Sequence, residues 1–178
     1  MSDMDHIAVS SLLWLAPIVA NDRDCIVQHL NNSAISRSML RVPNPYGPSD
    51  FDAFLGIAEA AAEEIGAPVH FTIHHAEHGP IGGFGFERLV PGHCVEIGYW
   101  LGQSYWMQGF MSQVVEAGCQ HAITTWQVVR ISACIFDGNT ASARVLEKCG
   151  FQREGLLRCH DLKDGQLIDA VVYARIVE

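Results

Sequence analysis

The chain has 178 residues, 49% hydrophobic and 17% charged, with a formal net charge of -9. That balance excludes a disordered or fibrous protein, and the length allows one domain burying roughly 70% of its extended surface. The acidic excess argues against a nucleic-acid backbone as partner and suits a cationic amine or basic peptide.

The first residues, MSDMDH, hold two aspartates and no Lys or Arg, and Ser10 and Ser11 interrupt the apolar run 7–20. Neither a signal peptide nor a membrane span is expected, and the protein is read as cytoplasmic. A first strand is expected over Val9–Leu15, followed by a helix from a cap at Asp22 to Leu30. The segment RVPNPYGPSD, with three prolines and a glycine, predicts a loop at 41–50. A helix begins at Ser49 or Asp50 and is stopped by Gly66 and Pro68. From Val69 the period becomes two: Val69, Phe71 and Ile73 alternate with His70, Thr72 and His74, which predicts a half-buried strand. PIGGFGFERL should pair with it as a hairpin.

CVEIGYWL predicts the next strand, 94–101, and a helix follows from Gly109 to Trp126. Met111, Val115, Gly118, Ala122 and Trp126 fall on its inner stripe. A strand at 130–136 leads to a short helix capped by Asn139 and ended by Gly150. Strands at 151–161 and 167–177 close the chain around the KDG turn, 163–165. The order β-α-α-β-β-β-α-β-α-β-β implies an α/β chain, one mixed sheet with helices on both faces. The six cysteines form no C-x-x-C pair and are read as reduced thiols, mostly of the core.

Several stretches carry chemistry. In EIGYWLGQSYWMQGFMSQ, two tryptophans flank a glycine-bearing turn between strand and helix, where backbone N–H groups can face an anion. His70, His74, His75 and His78 form a histidine-rich run, but strand alternation separates His74 from His75, so no metal site is expected. GGFGF at 82–86 lacks the third spaced glycine and acidic residue of a dinucleotide loop and is read as structural. Phe84, Phe86 and Tyr99 are read as core or as the wall of a binding site.

Three motifs in order, EIGYWLGQSYWMQGFMSQVV, NTASARVLEKCGFQREGLLR and DAVVYARI, make the chain resemble the GNAT superfamily of acetyl-CoA-dependent N-acetyltransferases. MLRVPNPYGPSDFDAFL adds to the likeness, which is nearest the branch of ribosomal-protein N-terminal alanine acetyltransferases. The resemblance implies a single GNAT domain over 1–178. Its central mixed sheet would be mostly antiparallel, with the fourth and fifth strands, 95–101 and 130–136, parallel and splayed. Acetyl-CoA would sit in that splay as co-substrate, with no metal.

The implied coenzyme A contacts are Tyr99, Trp100 and Leu101 at the strand end, then Trp106, Met107, Gln108, Gly109, Phe110, Met111 and Ser112, with Asn139 and Ser142. Met107 stands where the family usually has glycine, and Met111 where it has alanine or glycine. Leu101 or a neighbour would offer an N–H to the oxyanion. Glu96 is the first candidate base, with His93 and His74 behind it. The tyrosine that many members use as acid is here Leu146, and Ser142 takes that role in the branch. The acceptor is expected to be an amine-bearing small molecule or peptide, on a monomer or homodimer without nucleic-acid or membrane partners. The competing reading is a non-catalytic acyl-CoA-binding module.

Overall fold

The computed structural model describes residues 6–177. The expectation for the first residues as a non-signal segment therefore lies in part outside the described residues. Eight strands follow the hydrogen-bonding order β1-β2-β3-β4-β5-β6-β8-β7. The described residues fall into two compact units. One gathers the chain up to Gly85 with Tyr99–Val114, and the other gathers Phe86–Gly98 with the chain from Val115 onward.

In the first unit the expected opening strand is two strands, β1 (Ile7–Ala8) and β2 (Leu13–Pro17). Ser10 and Ser11 turn the chain between them: the Val9 and Ser10 N–H groups both donate to the Leu13 carbonyl. Helix α1 is Arg23–Leu30, following Asp22 as expected. The Asp22 side chain, however, does not cap it. Its Oδ2 accepts from Val19 N–H at 3.1 Å and from the buried Thr72 hydroxyl at 2.7 Å. A short helix not foreseen in the sequence, α2 (Ser33–Ser36), begins where Asn32 Oδ1 accepts from Ala34 N–H. Asn31 then clamps the proline-rich loop, donating to the Tyr46 carbonyl at 2.6 Å and accepting Tyr46 N–H at 3.1 Å.

Helix α3, Pro48–Ile65, starts a residue earlier than expected. Proline suits the first helical position, where its missing N–H leaves no bond unmade. The Asp50 carboxylate accepts Gly47 N–H at 2.8 Å, and Gly66 ends the helix at φ 78°. Ile26, Leu30, Ile35, Val42, Tyr46 and Phe51 form the core beneath α1 and α3, with Trp100 packed on it. Burial pushes the Tyr46 phenol up to about 12, helped by Asp50 and Asp52.

Strand β3, His70–His75, is not half-buried as its alternation suggested. From Val69 to His75 every residue but His74 is buried. Both faces are covered, so the polar set is satisfied internally: Thr72 bonds Asp22, and His70 packs edge-on against Phe54 of α3 at 5.2 Å. β3 pairs antiparallel with β2 and with β4 (Gly79–Val90), as the expected hairpin.

The second unit holds the other half of β4, most of β5 (Cys94–Leu101), most of helix α4 (Phe110–Trp126), and everything after. β6 (Arg130–Phe136) runs parallel to β5, and these are the strands expected as fourth and fifth. Their pairing covers Cys94↔Arg130, Val95↔Ile131 and Glu96↔Ser132 and goes no further, although both strands continue. Helix α5, Thr140–Lys148, follows, then β7 (Gln152–Lys163) and β8 (Gln166–Ile176). The last two are antiparallel around Asp164 and Gly165, both at positive φ.

Val115, Cys119 and Ala122 of α4 are fully buried, and burial raises the Cys119 thiol to about 12. Cys149 is buried too, whereas Cys25, Cys94 and Cys134 are half-buried and Cys159 is exposed. Only two of the six thiols are therefore fully in the core.

Burial lowers the pKa of His74 and of His121, because each imidazolium would lose hydration. For His74 the Asp22 carboxylate, 3.8 Å away, offsets part of this. The unfolded chain takes up protons near pH 6.5 while the folded one does not, so their contribution to stability is complete above that pH and lost below it. Urea midpoints should therefore fall as pH drops from roughly 7 to roughly 5. The double variant His74→Gln, His121→Gln should flatten that slope. An unchanged slope would remove both histidines as its source.

Candidate active site

The end of β5 is fixed by glycines on β4. A Cβ on Gly83 would lie 2.4 Å from Trp100 Nε1, and one on Gly82 2.5 Å from the Trp100 carbonyl. The indole therefore lies directly on β4, which explains why the GG of GGFGF is structural. Gly85 makes equivalent room for His70.

The next residues turn sharply. Gly102 N–H donates to the Ile81 carbonyl at 2.8 Å, and Gln103–Tyr105 form one 3-10 turn. Trp106 then folds back, and its Nε1–H donates to the Leu101 carbonyl at 2.7 Å. One tryptophan anchors the strand and the other ties the loop to the strand's last carbonyl.

The loop that follows has φ 62° at Met107 and 75° at Gly109. Only glycine adopts that region without strain, so Met107 carries a strained backbone. Its side chain is 98% exposed, so the residue's burden is on the backbone and it does not crowd the loop. At Gly109 an added Cβ would meet nothing within 4 Å, leaving the backbone approachable.

Helix α4 starts at the next residue, Gln113 N–H donates back to the Gly109 carbonyl at 3.4 Å, and the first turn thus presents backbone N–H groups toward the loop. With the positive end of a 17-residue helix behind them, they suit a phosphate. Gln108 Nε2 donates to the Ser104 carbonyl at 3.0 Å, and the Phe110 ring lies 5.6 Å from His75. Met111 is buried, so it offers an anion only its backbone. These residues fit a pyrophosphate-bearing ligand such as coenzyme A.

In the second unit, Asn139 Oδ1 accepts from Ser142 N–H at 3.2 Å and caps α5 as expected. Leu146 is fully buried, a core residue with no proton to give. Glu96 is engaged by Arg88, Oε2 to Nη1 3.3 Å. With Asp161 it helps raise the Cys134 thiol, whose main cause is burial. His93 lies in the turn before β5, its carbonyl accepting the Val129 and Arg130 N–H groups. His74 stacks on Trp14 at 5.4 Å. In the remaining histidine run His75 stacks on His78 at 4.6 Å, and among the described residues no three potential ligands converge on a metal site.

A cavity of 340 Å³ went unnoticed in the sequence. Gln28 and His29 of α1, Asn32, Gln103 and Ser104 line it. Nothing in their spacing signals it, because 71 positions separate Asn32 from Gln103, to whose Oε1 it donates at 2.7 Å.

These features define an acetyltransferase domain: residues 13–152 match the family model described as "Acetyltransferase (GNAT) domain". The chain belongs to the GNAT acetyltransferase family. It is 38% identical over 164 residues to the uncharacterized N-acetyltransferase p20 of Bacillus licheniformis, covering 91% of each chain. It is 29% identical over 130 residues to the [ribosomal protein uS5]-alanine N-acetyltransferase of Escherichia coli (strain K12), covering 71% of this chain and 66% of that one. The match to N-acetyltransferase YoaA of Bacillus subtilis (strain 168), also 38% identical, covers 53% of this chain and 54% of that one, so the chain spans about half of that relative's length. In fold it superposes with a TM-score of 0.86 on RimL, a ribosomal L7/L12 alpha-N-protein acetyltransferase solved with coenzyme A, at 22% identity over 97% and 98% of the two chains.

Met107→Gly should raise stability by about 0.5–1 kcal/mol, the relieved left-handed strain less glycine's extra unfolded entropy. A higher urea midpoint at constant slope reads this out. An unchanged midpoint would show that Met107 sits there without strain.

Proposed function

We infer that the protein is an acetyl-CoA-dependent N-acetyltransferase, a single GNAT domain across the chain, acting on a primary amine in the cytoplasm. The observation carrying this reading is the loop 106–109. Tied to the strand end by Trp106, it carries positive φ at Met107 and Gly109 and opens the N-terminus of α4.

Backbone N–H groups from Met107 to Ser112 hold the pyrophosphate, while Tyr99, Trp100 and Leu101 line the pantetheine arm. The Leu101 carbonyl is already taken by Trp106, so what Leu101 offers the reaction is its N–H, toward the oxyanion. Acetyl-CoA would supply a thioester there, open to direct attack on its acyl carbon by the deprotonated amine. The attack gives a tetrahedral oxyanion that collapses to amide and thiolate. Glu96, acting through water, takes the amine proton; Arg88, 3.3 Å from its carboxylate, orients it. Ser142, on the first turn of α5, returns a proton to the leaving sulfur. Asn139 fixes that turn and contacts the pantetheine arm. No metal takes part.

The occupied Glu96 and the apolar Leu146 favour a second reading, an acyl-CoA-binding module without turnover. Turnover separates the two.

In thermal denaturation, acetyl-CoA or coenzyme A at about 100 times its dissociation constant should add about 2.7 kcal/mol, and ATP nothing. Gly109→Glu should abolish that shift by setting a carboxylate against the phosphates. Gly109→Asn, tolerant of positive φ, should keep most of it. A full shift in the Glu variant would displace the pyrophosphate from this loop.

Ser142→Ala should lower kcat about 100-fold, measured as free-thiol release, while the acetyl-CoA shift persists. An unchanged rate would make Ser142 structural.

A further inference from the structure

The cavity on α1 has a defined hydrogen-bonding polarity. His29 Nε2 lies 3.2 Å from the Pro80 carbonyl. A carbonyl only accepts, so Nε2 carries the hydrogen, and in neutral imidazole Nδ1 is left as an acceptor. No residue among those described bonds Nδ1. Gly102 packs against its edge, where a Cβ would lie 2.8 Å from the nitrogen. The ring is held edge-on by Tyr105 at 5.9 Å and tilted against Trp100 at 6.4 Å.

A second chain of bonds fixes the opposite polarity on the other wall. Asn32 Oδ1 accepts from Ala34 N–H, so its amide nitrogen faces Gln103 and donates to Gln103 Oε1. The Gln103 NH₂ group is thereby left as a donor. Gln28 and Ser104 add side chains that both donate and accept. None of the lining side chains is a carboxylate, lysine or arginine. A pocket that selects a polyamine needs carboxylates to replace the hydration of each ammonium. A pocket with fixed acceptor and donor walls suits a neutral scaffold carrying both.

We propose that this cavity is the acceptor subsite and that His29 Nδ1, Gln103 and Gln28 select a primary amine borne on an uncharged amide- or hydroxyl-rich scaffold, against polyamines. This rests on the acetyltransferase reading above. Gln103 and Ser104 directly follow the end of β5 and precede the phosphate loop, so the cavity adjoins the coenzyme A residues of the same unit. His29 is here a substrate-binding residue with no assigned part in proton transfer.

The test uses the full-length protein labelled with ¹⁵N-histidine and titrated with glucosamine, a Ser-Ala-Ala peptide amide or spermidine, without acetyl-CoA. Glucosamine or the peptide should move the His29 Nδ1 resonance, and the stronger of the two identifies the scaffold; spermidine should leave it in place. With acetyl-CoA, His29→Phe, which keeps a ring between Trp100 and Tyr105, and Gln28→Leu, at an exposed position, should each raise the acceptor KM about tenfold. In both, kcat should stay within about twofold and the acetyl-CoA thermal shift should be unchanged. A spermidine-induced shift as large as that of the neutral amines, or unchanged KM in both variants, overturns the proposal. If the neutral amines move His29 but no amine is ever acetylated, the acetyltransferase reading falls and the subsite stands. If amines are acetylated and none moves His29, the subsite falls alone.

Discussion

Trp100 can lie on β4 only because positions 82 and 83 carry no Cβ, with contacts of 2.4 and 2.5 Å that any side chain would violate. This exclusion sets where β5 ends, and much of the first unit's chemistry is referred to that point. Gly102 turns against Ile81, Trp106 returns to the Leu101 carbonyl, and the loop reaches the start of α4. His29 rests on the same indole. Close packing transmits position because interiors are too dense to absorb an added methyl without displacing something.

The parallel pairing of β5 and β6 is the complementary constraint. Three residue pairs hold the strands together, and beyond Glu96 and Ser132 the ladder stops. Backbone groups left without a strand partner must find another or stay hydrated. Under the proposed acetyltransferase function, an extended ligand with amides of its own would be such a partner. A loop that offers a ligand only its backbone depends little on side-chain identity, which suits Met107 at its positive φ. The side chain goes to solvent and the strain stays in the backbone.

Polar groups in the first unit are held inward by named partners. Thr72 gives its hydrogen to Asp22, and the same carboxylate accepts Val19 N–H. That shared acceptor explains why Asp22 precedes α1 without capping it. The proline-rich segment is held the same way, by the two-way bond between Asn31 and Tyr46.

Local signals made most of the fold legible in the sequence. Gly66 and Gly150 marked helix ends, Asn139 a cap, the KDG turn a hairpin, and the α4 stripe its buried face. The glycine-bearing turn between β5 and α4 was legible because glycine spacing and helix starts are short-range, and the order of the motifs carried the family. Other features needed the tertiary structure. The split of the first strand at Ser10 and the full burial of β3 depend on what packs against each face, which alternation within one strand does not encode. The engagement of Glu96 by Arg88 crosses from β4 to β5, and the cavity of His29, Asn32 and Gln103 joins residues far apart in the chain. The sequence by itself determined most of the elements, the family and the glycine-bearing turn before α4, since these rest on backbone conformation and local hydrogen bonds. Only the tertiary structure decided which polar side chains are already spent on one another and which remain for a ligand, because that depends on contacts between distant segments.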